Sequence, residues 1–145
     1  MENHETIHKG KMVNNMAGAR GFIPILVYLL LFAGAILIFW LDSKAQDGSF
    51  AMGYSILFIW ISIPVLIIVV SMIIGVKSSW GNFKWLATIF FGLTYMGLPY
   101  ATFGIANSIA YGNENVPEVK MLFIGIAISL LGMAAGHLIL KRKHK

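Results

Sequence analysis

The chain has 145 residues, 58% hydrophobic and 12% charged, with a formal net charge of +5 and a mean hydropathy of +0.78. A soluble domain carries about 25% charged residues, so half of the ordinary surface charge is missing and no second, soluble domain fits beside the apolar segments. Cysteine is absent, which excludes disulfides, thiolate metal sites, cysteine nucleophiles and S-acylation.

Four stretches contain no Asp, Glu, Lys or Arg: between Arg20 and Asp42, Asp47 and Lys77, Lys84 and Glu114, and Lys120 and Lys141. Each holds about 20 helical residues, which at ~1.5 Å per residue cross a hydrocarbon core of about 30 Å. The pattern predicts an all-α integral membrane protein with four transmembrane helices.

Residues 1–20 are polar, with His4, His8, Lys9, Lys11, Asn14 and Asn15, and without an apolar period they read as a flexible cytoplasmic tail. The transmembrane domain covers 21–140. Its first span, about 22–41, has Pro24 in its first turn, where a missing N–H costs nothing, and Trp40 at its far boundary. The span is longer than the roughly 7–15 apolar residues of a signal peptide, so it is read as retained. A polar hairpin follows, with the turn dipeptide Asp47-Gly48.

The second span covers about 51–76, and a tight turn between Lys77 and Lys84 leads to the third, about 85–106. The apolar character of the third span fades through Asn107, Ser108 and Tyr111. A connection containing Pro117 precedes the fourth span, about 119–140, and a basic cytoplasmic tail, 141–145, closes the chain. Short connections make consecutive helices antiparallel neighbours in a bundle.

Basic residues set the orientation. With the N-terminus inside, Lys9, Lys11, Arg20, Lys77, Lys84, Lys141, Arg142, Lys143 and Lys145 are cytoplasmic, and only Lys44 and Lys120 lie opposite. Both termini are therefore expected in the cytoplasm and the protein in the cell membrane. The high pI reflects this flanking charge rather than nucleic-acid binding. Lys141, Arg142, Lys143 and Lys145 read as membrane-surface anchors that face anionic headgroups.

Two faces stand out. In the third span Thr88, Gly92, Tyr95, Pro99, Thr102 and Ala106 recur at helical steps on one face. Pro99 cannot donate to the Tyr95 carbonyl, and Pro64 in the second span frees the Trp60 carbonyl with Ser62 nearby. Ser62, Pro64, Thr88, Tyr95, Pro99 and Thr102 are thus candidates for a polar lining, against the alternative of two ordinary bends satisfied by Ser and Thr. In the fourth span Gly125, Ser129, Gly132 and Gly136 form a small-residue stripe suited to close helix contact. Packing on the Gly/Thr face of the third span is the expected use. Homodimerisation and docking to another membrane protein are the alternatives.

Chemistry is otherwise sparse. His137 is the one ionisable group inside a span, a turn from Lys141, and reads as interfacial. A proton-coupled exporter of the small four-helix type needs a membrane-embedded carboxylate, which the spans lack. His4 and His8 have no rigid frame for a metal, and no phosphate loop, nucleophile elbow or His–carboxylate array appears. No catalytic, cofactor or metal site is assigned, and an enzyme is not expected. Two classes remain. One is a non-enzymatic accessory, regulatory or immunity-like component acting through helix–helix contacts with another membrane protein or itself. The other is a small oligomeric transporter or channel for an uncharged or apolar solute.

Overall fold

The computed structural model describes residues 3–42, 48–76, 83–112 and 114–143. Among them the chain is all-helical and forms four rods. Helix α1 is Asn3–Asp42; α2 is the continuous run Gly48–Tyr54, Ser55–Ser62 and Ile63–Val76; α3 is Phe83–Pro99, Tyr100–Gly104 and Ile105–Tyr111; α4 is Val119–Lys143. The stretches Phe22–Asp42, Ser49–Val76, Lys84–Tyr111 and Val119–Arg142 are each long and apolar enough to cross a membrane. The protein is thus compatible with a multi-pass membrane bundle.

Two boundaries differ from expectation. The α1 backbone is already helical at Asn3, so the polar stretch read as a flexible tail continues the first span. Pro24 then lies inside α1 rather than in its first turn, where it has no N–H for the Arg20 carbonyl. At the other end, α3 passes through Asn107 and Ser108 and stops at Tyr111. There Gly112 takes φ 68° and its N–H donates to the Ser108 carbonyl at 3.0 Å. Glycine adopts this left-handed cap without the Cβ penalty that other residues incur.

Each rod buries one stripe. In α1 it is Tyr28, Ala35 and Phe39, spaced seven and four residues apart. In α4 the four buried residues are Gly125, Ser129, Gly132 and Gly136. Outward positions such as Phe22, Leu26, Leu30, Trp60, Leu131 and Leu138 are large, apolar and exposed, as a lipid-facing surface requires.

Aromatic rings seat α1. Tyr28 meets Phe91 of α3 edge-on at 4.9 Å, and Phe39 meets Tyr54 of α2 at 5.1 Å and Phe103 of α3 at 4.9 Å. Such contacts contribute about 0.5–1.5 kcal/mol each beyond their buried area. α4 is held differently, by backbone approach. A Cβ on Gly132 would lie 2.7 Å from the Ile68 carbonyl oxygen, and one on Gly75 would lie 2.5 Å from that of Met133. Gly136 is closed in the same way by the Met72 carbonyl. Close approach maximises dispersion where lipid supplies no hydrophobic drive between helices. The Ser71 and Ser129 hydroxyls complete the α2–α4 seam with a 2.8 Å hydrogen bond.

The small-residue stripe therefore divides its contacts. Only Gly125 meets α3, where its Cβ would lie 2.8 Å from Tyr95 Cβ and 2.9 Å from Gly92 Cα. Ser129, Gly132 and Gly136 turn to α2. The spacing of α4 marks its contact residues, but the Gly/Thr face of α3 receives one of the four.

Candidate functional site

Two segments interrupt the α-helical register. Ser55–Ser62 of α2 and Tyr100–Gly104 of α3 are π-helical, with N–H groups donating five residues back. Each adjoins a proline, Pro64 just after the first and Pro99 just before the second. The first widens the turns that lead into Pro64, whose ring would otherwise press on the carbonyl four residues earlier, whereas the second begins only after Pro99.

A return from the π to the α register leaves one carbonyl without a backbone donor. In α2 the Ile63 N–H donates to the Phe58 carbonyl. The next carbonyl, Ile59, would receive Ile63 in the α register or residue 64 in the π register. Ile63 is engaged and Pro64 has no N–H, so Ile59 is left over. The Tyr95 hydroxyl of α3 fills that vacancy at 3.1 Å. The sequence pointed to the Trp60 carbonyl with Ser62 beside it. The carbonyl that gains a side-chain donor is instead its neighbour, because the π turn shifts the register by one, and the donor comes from another helix.

The same rule applies in α3. The Ile105 N–H donates to Tyr100 and Thr102, and the α register assigns the next N–H, that of Ala106, to Thr102 as well. Ala101 is skipped, and the Trp40 indole N–H of α1 reaches its carbonyl at 3.1 Å. A third donor, the Tyr54 hydroxyl of α2, reaches the Ala35 carbonyl of α1 at 2.9 Å. Helix α1 thus donates to α3, α3 to α2, and α2 back to α1, a closed cycle of side-chain donors on backbone acceptors.

The candidate lining residues sit within this packing. Thr88, Tyr95 and Thr102 are buried. Thr88 donates to the Lys84 carbonyl at 3.2 Å, with the Met133 sulfur 4.0 Å away. Thr102 donates to Leu98 at 2.8 Å, with the Pro99 carbonyl at 3.4 Å. Ser62, Pro64 and Pro99 are half-buried. Thr94 was not singled out by the sequence. It donates to the Phe91 carbonyl at 3.0 Å and so accepts from the Tyr28 hydroxyl at 2.7 Å, which pins α1 to α3. Its place three residues after Phe91 gave no sign of this, since the partner lies on another helix.

No buried side-chain nitrogen or oxygen among the described residues lacks a hydrogen-bond partner. In a chain of this polarity that leaves the buried hydroxyls committed to the fold. Of the basic anchors, Lys141 and Arg142 are exposed at the end of α4, while the Lys143 side chain and Lys145 lie outside the described residues. The side chains of His4 and His8 also lie outside them. Among the described residues no group of three or more His, Cys, Asp or Glu is placed to hold a metal ion. Neither a family model, nor a curated protein, nor a solved structure matches the chain.

Proposed function

We propose that the protein is a non-enzymatic accessory component of the cell membrane, of regulatory or immunity-like type, which acts through helix–helix contacts with another membrane protein. The observation that carries this reading is the commitment of the span hydroxyls. Thr88, Tyr95 and Thr102 are buried and donate to backbone carbonyls of α3 or α2. A solute would have to displace those bonds, and each buried group left unsatisfied costs about 1–3 kcal/mol. The outward faces are apolar and suit contact with lipid or a partner's helices.

The bundle is read as up-and-down, with antiparallel neighbours and both termini cytoplasmic. Contact register supports this. Along α2 and α4 the pairs advance together, Ile68 with Gly132 and Met72 with Gly136. Along α3 and α4 they run oppositely, Thr88 with Met133 and Gly92 with Gly125. The excess of basic residues beside the N-terminus, the second connection and the C-terminus supports the orientation.

The second reading, a small oligomeric transporter or channel for an uncharged or apolar solute, is favoured by the π segments. Such turns recur at functional sites, and Tyr54, just before the first of them, lies 5.9 Å from Phe103 of the second. Isolation from native membranes in mild detergent, with the mass of the intact complex measured, separates the readings. A stoichiometric foreign membrane protein supports the accessory role. A homo-oligomer without any partner moves the assignment to transport.

A further inference from the structure

An open cleft of about 470 Å³ lies where α3 ends and the connection to α4 begins, lined by Tyr100, Ser108, Gly112, Glu114, Asn115 and Val116. The side-chain donors of Asn115 and Ser108 are already engaged. The Asn115 amide nitrogen donates to the Gly104 carbonyl at 3.1 Å and to Ser108 Oγ at 3.4 Å. The Ser108 hydroxyl donates to the same Gly104 carbonyl at 2.9 Å, and the Gly112 N–H donates to the Ser108 carbonyl at 3.0 Å. Because a carbonyl can only accept, the Asn115 nitrogen must be the atom on Gly104. The amide oxygen is therefore the part left for a ligand.

The acceptors still open among its side chains are Asn115 Oδ1, a lone pair on Ser108 Oγ, and the Glu114 carboxylate, which carries the one charge of that lining. Glu114 has no ion-pair partner among the described residues. No Lys, Arg or His lines the cleft, and Tyr100 contributes a partly exposed ring. An anion, neutral acceptors and an aromatic face complement a positively charged nitrogen, which gains from each of them. The cleft also sits at the C-terminal end of the apolar stretch Lys84–Tyr111, where a membrane-spanning helix would reach the headgroups.

We propose that this cleft binds an ammonium group, carried either by a zwitterionic lipid headgroup or by a small amine from the aqueous side. The site is independent of whether the bundle docks a partner or passes a solute.

The test uses the full chain, ¹⁵N-labelled, in nanodiscs of phosphatidylglycerol, whose headgroup carries no ammonium, with ethanolamine and then tetramethylammonium as probes. The Asn115 side-chain amide resonance should shift saturably. Glu114→Gln should weaken binding about tenfold, whereas Glu118→Gln, outside the cleft, should not. In nanodiscs containing phosphatidylethanolamine, a resonance already shifted and no longer titrating identifies the lipid as ligand. Titration unchanged by that lipid identifies the soluble amine. Absence of a saturable shift with both probes, or equal binding by Glu114→Gln, overturns the proposal. Glu114 is exposed and outside the Gly104–Asn115 bond, so its substitution tests charge without disturbing the fold.

Discussion

The Tyr95 hydroxyl lies 3.1 Å from the Ile59 carbonyl, the acceptor that α2 cannot serve from its own backbone. Neither half of this pair has a polar alternative inside an apolar span. A phenol without an acceptor and a carbonyl without a donor would each cost free energy in an apolar interior, and each here satisfies the other. The proline, the π turn and the distant tyrosine form one unit.

Tyr95→Phe should therefore destabilise the bundle by about 0.6–1.7 kcal/mol, the range for interhelical hydrogen bonds in membranes. In a Pro64→Ala background position 64 regains an N–H, α2 can serve its own carbonyls, and the Tyr95→Phe penalty should shrink. Unfolding of the four variants in mixed micelles gives the coupling. An equal penalty in both backgrounds would show that Tyr95 and the proline defect are unrelated.

Gly132→Ala places a Cβ 2.7 Å from a backbone oxygen of α2, which a helix cannot move cheaply. The expected cost is about 1–3 kcal/mol, as for overpacking elsewhere. Gly97, with nothing within 4 Å of its added Cβ, is the matched control. There alanine should be neutral or stabilise by up to about 1 kcal/mol through helix propensity. The same unfolding assay reports both, and equal effects would contradict the close α2–α4 seam.

Trp40→Phe keeps an aromatic ring beside Phe39 but removes the donor to Ala101. With a ¹³C label on the Ala101 carbonyl, its infrared amide I band should move to higher frequency in the variant, as a carbonyl does on losing a hydrogen bond. A band that stays in place would mean that the register change of α3 leaves no carbonyl for the indole.

Much of the architecture was legible in the sequence, and the reason is solvent. Charge-free runs of span length announce four apolar helices because a charged side chain in hydrocarbon costs about 2.5–3.5 kcal/mol even by the most lenient scale. Small residues at steps of four, three and four mark the face of α4 that other backbones approach. Its partner was not legible. Ser71, Met72 and Gly75 sit in an apolar run that offers no contrast, so α2 gave no sign of receiving the stripe. The π segments were half legible. Pro64 and Pro99 announce a freed carbonyl, but which carbonyl depends on register, and register depends on donors such as Tyr95 and Trp40 that lie 36 and 61 residues away. The helix through Asn3 was hidden because its residues carry no apolar period. A formed span can extend its helix at one bond per residue once nucleation is complete.

If the fold closes the polar face of α3, Thr88 and Thr102 are out of reach of a water-filled path. The natural absence of cysteine permits a direct test with single substitutions Thr88→Cys, Thr102→Cys and the exposed control Glu114→Cys. Each is treated in native membranes with a small, water-soluble, cationic thiosulfonate. Rapid labelling is expected at position 114 and none at positions 88 and 102 until the protein is unfolded. Labelling of positions 88 and 102 at rates near that of 114 would contradict this closure and place water along that face.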